Sequence, residues 1–221
     1  MLVDRRNPRR FSYPGTIFIN SADASGSYSQ FGRRNQQGEF YLHISFPAIN
    51  HTIMSPRDEG IKSRVSTGGV GVGLSYFHSK NQFVQLGFSE VSGGTSFSVT
   101  RTGAHRIVEF ESMLTRYISL SNNHKFKRLS VGYGFIFARK TWTNDRIGLF
   151  WGFFPIGGEN IRETHNAFGF VFPVHYQLSE FLHIGFVYRP TFFRPNMSNR
   201  FVYEHSISLN LALKINLWSF R

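Results

Sequence analysis

The sequence predicts an all-β protein: an antiparallel up-and-down transmembrane β-barrel of eight to ten strands, ten preferred. Three observations lead there. Segment after segment alternates apolar and polar residues with a period of two, and several are longer than the strands of soluble sandwiches. The polar face of those segments is rich in Gly and Ser. Aromatic residues gather near the segment ends.

Residues 1–38 differ from the rest and are expected to form an N-terminal arm, a plug or a first edge strand, with residues 39–221 as the barrel. Arg5, Arg6, Arg9, Arg10, Arg33 and Arg34 stand there among Gly, Ser, Asn and Gln, and only "GTIFIN" (15–20) looks like a strand. The start, "MLVDRRNPRRFSYPG", has basic residues but no apolar stretch of a secretory signal. An outer-membrane barrel needs such a signal, so either residues 1–221 are a mature chain with an added Met or the barrel reading fails. An Arg-rich, acid-poor start also imitates a mitochondrial transit peptide, but Pro8 and Pro14 spoil the amphipathic helix it would need.

From residue 39 the alternation is continuous. "EFYLHISF" (39–46) puts Phe40, Leu42, Ile44 and Phe46 on one face, because successive strand side chains point to opposite sides. "GGVGVGLSYFH" (68–78) sets Val70, Val72, Leu74 and Tyr76 against Gly69, Gly71, Gly73 and Ser75. "QFVQLGFSEV" (82–91) aligns Val84, Leu86 and Phe88. Residues 106–120 set Val108, Phe110, Leu114, Ile118 and Leu120 against Glu109, Glu111, Thr115 and Tyr117. Residues 126–140 set Leu129, Val131, Tyr133, Phe135 and Phe137 against Arg128, Ser130, Gly132 and Gly134. "RIGLFWGFF" (146–154), "NAFGFVFPVHY" (166–176) and "FLHIGFVYR" (181–189) follow. In the closing "HSISLNLALKINLWSFR" (205–221), the apolar face is Ile207, Leu209, Leu211, Leu213, Ile215 and Leu217. No segment keeps a 3.6-residue period, so almost no helix is expected.

"SKN" (79–81), "TND" (143–145) and "LSE" (178–180) are predicted as tight turns, and 47–67, 155–165 and 190–202 as longer loops. Counting "TSFSVTR" (95–101) as a strand of its own keeps the short turns on one rim. It gives ten strands from residue 39, an even number as in single-chain bacterial barrels. Replacing that segment by 15–20 also gives ten.

Alternation alone fits a soluble sandwich too. Length separates the two: a tilted strand needs about 9–11 residues to span a bilayer, whereas ordinary strands have a mode of about 5–6. Residues 106–120, 126–140 and 203–218 meet the larger figure. Small residues on the inward face let a narrow barrel close around its side chains; on the wet face of a sandwich they would weaken the strand for no gain. Trp142, Trp151, Tyr176, Phe181, Tyr188, Phe192, Phe193, Phe201, Tyr203 and Trp218 lie where interfacial girdles form. Arg128, Lys214, Glu109 and Glu111 keep to the polar phase, but Arg116 shares its phase with Leu114 and Ile118, and Arg139 with Phe137. A bulge or a lipid head group would relieve Arg116.

"GEFYLHISFPAINHT" (38–52), "GLSYFHSKNQFVQL" (73–86), "YISLSNNHKFKRLSVGYGFIFARKTW" (117–142) and "YQLSEFLHIGFVYRP" (176–190) resemble small outer-membrane β-barrel proteins of Bacteroidota-type bacteria. The resemblance covers most of 38–218 and implies the barrel fold and an outer-membrane location. It implies no site. One departure stands out: such barrels usually end on an aromatic residue, whereas Phe220 is followed by Arg221. Trp218 and Phe220 are also out of phase with Ile207 through Leu217, which a bulge near Leu217 would reconcile.

Chemistry is sparse. Without cysteine there are no disulfides and no thiolate metal sites. Nucleophilic catalysis needs Ser within hydrogen-bond reach of His. His43 and Ser45 share a face, but one directed at the lumen. His205 lies on the apolar side, with Ser206 and Ser208 facing away. Polar lumen filling explains them better, and Glu109 and Glu111 are not tied to them as a third member. His165, His175 and His183 are expected as rim residues rather than metal ligands. "GGVGVG" (68–73) lacks the helix a phosphate loop needs.

The net charge of +12 suits nucleic acid or anionic lipid. No nucleic-acid-binding module accompanies it, so the expected partners are outer-membrane lipid, lipopolysaccharide phosphates and other envelope proteins. No catalytic, cofactor or metal residue is assigned, and no cofactor is expected. The expected role is non-enzymatic: structural, a narrow pore, or an accessory subunit of an envelope complex. The alternatives are a barrel enzyme acting on lipid, such as a phospholipase or lipid A deacylase, and a soluble barrel binding an apolar ligand.

Overall fold

A computed structural model describes residues 37–57, 59–102, 105–150 and 154–219. Residues 1–36, with the strand expected at 15–20 and nearly all of the expected arm or plug, lie outside them, as do Trp151, Phe220 and Arg221. The described residues belong to one compact unit.

Its strands are β1 (Glu39–Met54), β2 (Lys62–Thr67), β3 (Gly69–Ser79), β4 (Gln82–Thr102), β5 (His105–Phe126), β6 (Leu129–Phe150), β7 (Phe154–Gln177), β8 (Leu182–Phe193) and β9 (Phe201–Ser219). Each pairs antiparallel with its neighbour, and β1 pairs with β9, which closes the sheet into an up-and-down barrel. β3 pairs with the first half of β1 and β2 with the second, so together they make one wall position. The break between them is Gly68, whose φ of 94° suits glycine alone. Asn50 Nδ2 donates to the Gly68 carbonyl at 2.9 Å and holds the break in place. The nine strands of the described residues thus fill eight wall positions.

The difference from ten has a clear cause. Residues 95–101 continue β4, and "TND" lies within β6, where Asn144 opposes Glu111 on one side and Ile161 on the other. A Thr-Asn-Asp run favours turns locally, but here the ladder on both sides satisfies the backbone. Residues 155–165 likewise belong to β7, and the longer connections shrink to 55–61 and 194–200. The polar stretches expected as loops are tall strand extensions, laced by pairs such as Arg146 Nε–Glu109 at 3.0 Å. The turns at 80–81 and 178–181 fall where expected.

Burial runs opposite to that of a water-soluble protein. Outward residues are apolar and open: Val72 on β3, Phe88 on β4, Ile118 and Leu120 on β5, Phe135 on β6, Phe170 on β7 and Leu211 on β9, with Phe135 69% exposed. Inward residues are polar and buried, among them Ser75, Asn123, Lys140, Glu204, Ser206 and Ser208. The outward apolar run of β6 spans Leu129 to Phe137 and stops at Arg139. Eight residue steps at about 3.3 Å, tilted by about 40°, cover about 20 Å of height, most of the roughly 25 Å of a barrel's lipid-facing band.

Two bulges keep this sorting intact. In β1 the register with β9 shifts between Pro47 and Ile49. Proline has no N–H for the ladder, and the extra residue moves the inward phase from His43 and Ser45 to Asn50, Thr52 and Met54. In β9, Phe40 opposes Trp218 while Tyr41 opposes Asn216. Leu217 is the bulged residue, which reconciles the phase of Trp218 with the rest of the strand.

Two expectations change. Trp142 is not on a rim: it points inward, 1% exposed, against Met54, Met113 and Ile161. The lumen is also not polar throughout. Val91, Tyr117, Ile136, Ala138, Ala167, Val171 and Val187 form an apolar layer within it, because a narrow barrel is filled by its own side chains.

Candidate functional site

The chemically dense region is the lumen, which holds two polar clusters that the register builds. The first centres on Glu204. β9 aims it inward opposite Thr191 of β8, and β6 and β7 bring Lys140 opposite His165. Lys140 Nζ donates to Glu204 Oε2 at 2.9 Å and to Thr191 Oγ1 at 2.8 Å. His165 Nε2 lies 3.2 Å from the same carboxylate oxygen. The other oxygen accepts from the Ser55 N–H at 2.7 Å and from Arg194 Nη1 at 3.4 Å. Arg194 also donates to the Ser55 carbonyl at 2.7 Å. Lys140 and Glu204 are completely buried. One carboxylate thereby ties four strands and the β1–β2 connection across the bore. Charged groups this deep are tolerated only when paired and hydrogen-bonded.

The second cluster lies nearer the turn rim. His43 of β1 stands opposite Lys214 of β9. Gln85 Nε2 lies 2.8 Å from His43 Nδ1, and the His43 and His175 rings meet edge-on at 5.4 Å. His175 leans over Gly185 of β8, where a Cβ would strike the imidazole. Between the clusters, Arg189 donates to Ser208 Oγ at 2.9 Å and lies 4.9 Å from the Tyr117 ring centre, and Tyr117 Oη donates to Ser206 Oγ at 2.8 Å.

The residues weighed from sequence fall as follows. His43 and Ser45 face the lumen, and His43 is engaged by Gln85. His205 faces outward among His51, Tyr188 and Tyr203, while Ser206 and Ser208 point in. Glu109 pairs with Arg146, and Glu111 with Lys62 and Arg64. His165, His175 and His183 are buried and face the lumen; His175 and His183 are neighbours across β7 and β8 in the lower cluster, while His165 stands apart in the Glu204 cluster. Among the described residues no group of three His, Asp or Glu is arranged to hold a metal ion. The 68–73 glycine segment is β3 and its break, and a strand follows.

Sequence reasoning missed Glu204, Lys140, Arg194 and Arg189. A signal was present, since Lys140 and Glu204 sit in the inward phase of long strands. It also missed a Ser–His contact outside the barrel: His51 Nε2 and Ser63 Oγ lie 3.0 Å apart between β1 and β2. The outward Arg116 sits at no bulge: its Nε lies 2.6 Å from Glu90 on the adjacent strand, in regular register.

No family model and no curated protein sequence matches the chain. Among solved structures it is similar to Ail, the attachment invasion locus protein of Yersinia pestis, with a TM-score of 0.47 and 8% identity over 81% of this chain and 100% of that one. Neisserial surface protein A gives a TM-score of 0.40 and 11% identity, covering 80% and 97%. The outer membrane protein OprG from Pseudomonas aeruginosa gives 0.34 and 10%, covering 83% and 98%. These likenesses are distant.

Proposed function

We propose that the chain is an integral outer-membrane barrel of a Bacteroidota-type bacterium, non-enzymatic, with a closed lumen, serving as a structural element or accessory subunit of the envelope. The observation that carries the membrane assignment is the inverted burial: apolar side chains cover the outside and polar ones fill the inside. No water-soluble environment rewards that arrangement. The Glu204 cluster and the apolar layer, both within the bore, support a closed lumen. Arg116 and Arg139 stand opposite each other on the outer surface, at the upper edge of the apolar band. Like charges so placed repel, and Glu90 balances one of them. Lipopolysaccharide phosphates are the partner that suits the remainder. Purified protein in a planar bilayer is expected to give no steady ionic current. Stable stepwise conductance would replace the closed-barrel reading with a pore.

A second reading, a lipid hydrolase, has the His51–Ser63 contact in its favour, because it lies on the outside where an acyl ester could meet it. Among the described residues no carboxylate is hydrogen-bonded to His51, so the base lacks the orienting group that such sites use. Phospholipid and lipid A esters are expected to survive incubation with the protein. Hydrolysis that disappears in Ser63→Ala would establish the enzyme instead.

A further inference from the structure

We infer that the lumen binds one small inorganic anion of halide size, between Arg189, His43 and His175. A cavity of about 50 Å³ opens there, lined also by Gln85, Ser45 and Asn210. That is room for a few water-sized species, since one needs about 10–15 Å³ of such space.

Two lines of evidence make it an anion site. The first is donor geometry. The Gln85 amide N–H donates to His43 Nδ1, so a neutral His43 carries its proton on Nε2. That nitrogen is buried and meets no acceptor among the described residues, and His175 Nε2 is likewise buried and unpartnered among them. Both residues are at least nine-tenths buried and line the cavity.

The second is charge. Arg189 is 5% exposed and permanently protonated. Its contacts are one hydroxyl, Ser208 Oγ, and the face of Tyr117. Lys214, opposite His43, lays its ammonium 4.6 Å from the Phe83 ring centre. The buried Glu204 carboxylate is already committed, shared by Lys140 and Arg194. Among the described residues no carboxylate pairs with Arg189, and a buried guanidinium without a counter-charge is costly. An anion in the cavity supplies that charge and accepts from Arg189 and His43, and from His175 in the tautomer that carries its proton on Nε2. The competing occupant is water, for which the unpartnered Asn210 Oδ1 would serve as acceptor, but water leaves the charge uncompensated.

Crystals of the full chain soaked in bromide test this directly. The expected result is an anomalous peak in the lumen within contact of Arg189, His43 and His175. Water density alone at that place, or bromide only on the outer surface as an adventitious ion, would overturn it. In detergent, the unfolding midpoint is expected to be higher in chloride than in gluconate at equal ionic strength, with a saturable dependence. His43→Phe, which removes one donor and keeps the charges, is expected to weaken the half-saturation at least about tenfold. Arg189→Gln is expected to abolish the difference. Equal midpoints of the wild-type protein in the two salts would also refute the site, whether or not these variants fold. A bromide peak would stand whatever the barrel's cellular role.

Discussion

Replacing Glu204 with alanine is expected to lower the unfolding free energy by about 3–5 kcal/mol, the cost of stripping buried cations of their carboxylate. Glu204 is completely buried and engages Lys140, Arg194, His165 and the Ser55 N–H. After the substitution Lys140 keeps only Thr191, and Arg194 keeps backbone carbonyls of Ser55 and Asn199. Two ammonium-type charges would then sit in a narrow bore walled by lipid. The loss measures that exposed imbalance, not the net worth of the ion pair, which can be close to nothing against an apolar replacement. Urea unfolding of protein refolded into lipid vesicles gives the figure, with Trp142 in the adjoining layer as a reporter. A loss below about 1 kcal/mol, the scale of exposed pairs, would mean that the cluster is open to water and does not close the bore.

Phe135→Arg is expected to cost about 2–4 kcal/mol, as for a cation on the lipid face near the bilayer midplane. Phe135 is 69% exposed in the middle of the outward run of β6. In a water-soluble protein, a polar replacement at so open a position would be harmless or helpful. The depth control is Phe201→Arg, at the loop end of β9 and 76% exposed. Near the interface the same change is expected to cost only about 0–1 kcal/mol. Equal costs at the two positions would contradict the lipid band.

The parts of this fold that were legible in the sequence are those set by a local period. The outward faces of β3, β5, β6 and β9 follow from alternation alone, and the phase break at Trp218 foretold the bulge at Leu217. The parts that were not legible depend on height and register. "TND" carries turn residues, yet its neighbours on β5 and β7 continue the sheet past it, so the strands predicted at 126–140 and 146–154 are one tall strand. Trp142 has the composition of a girdle residue, but its phase in β6 is that of Lys140 and Asn144, which point inward. The Glu204 cluster joins residues from distant parts of the chain, such as Ser55 and Glu204, which lie 149 positions apart. Only barrel closure through β1 and β9 brings them together. The same applies to His43 and His175, whose shared cavity no spacing in the sequence announces.

The central claim is that the outer face of the barrel touches lipid and its inner face does not. The chain has no cysteine, so single cysteines can be placed along β9 without background. With a polarity-sensitive fluorophore at Leu209, Leu211 or Leu213 in turn, in lipid vesicles, nitroxide-labelled lipid is predicted to quench all three strongly while aqueous iodide leaves them bright. Strong quenching by iodide at these three positions, with none from the labelled lipid, would contradict the account.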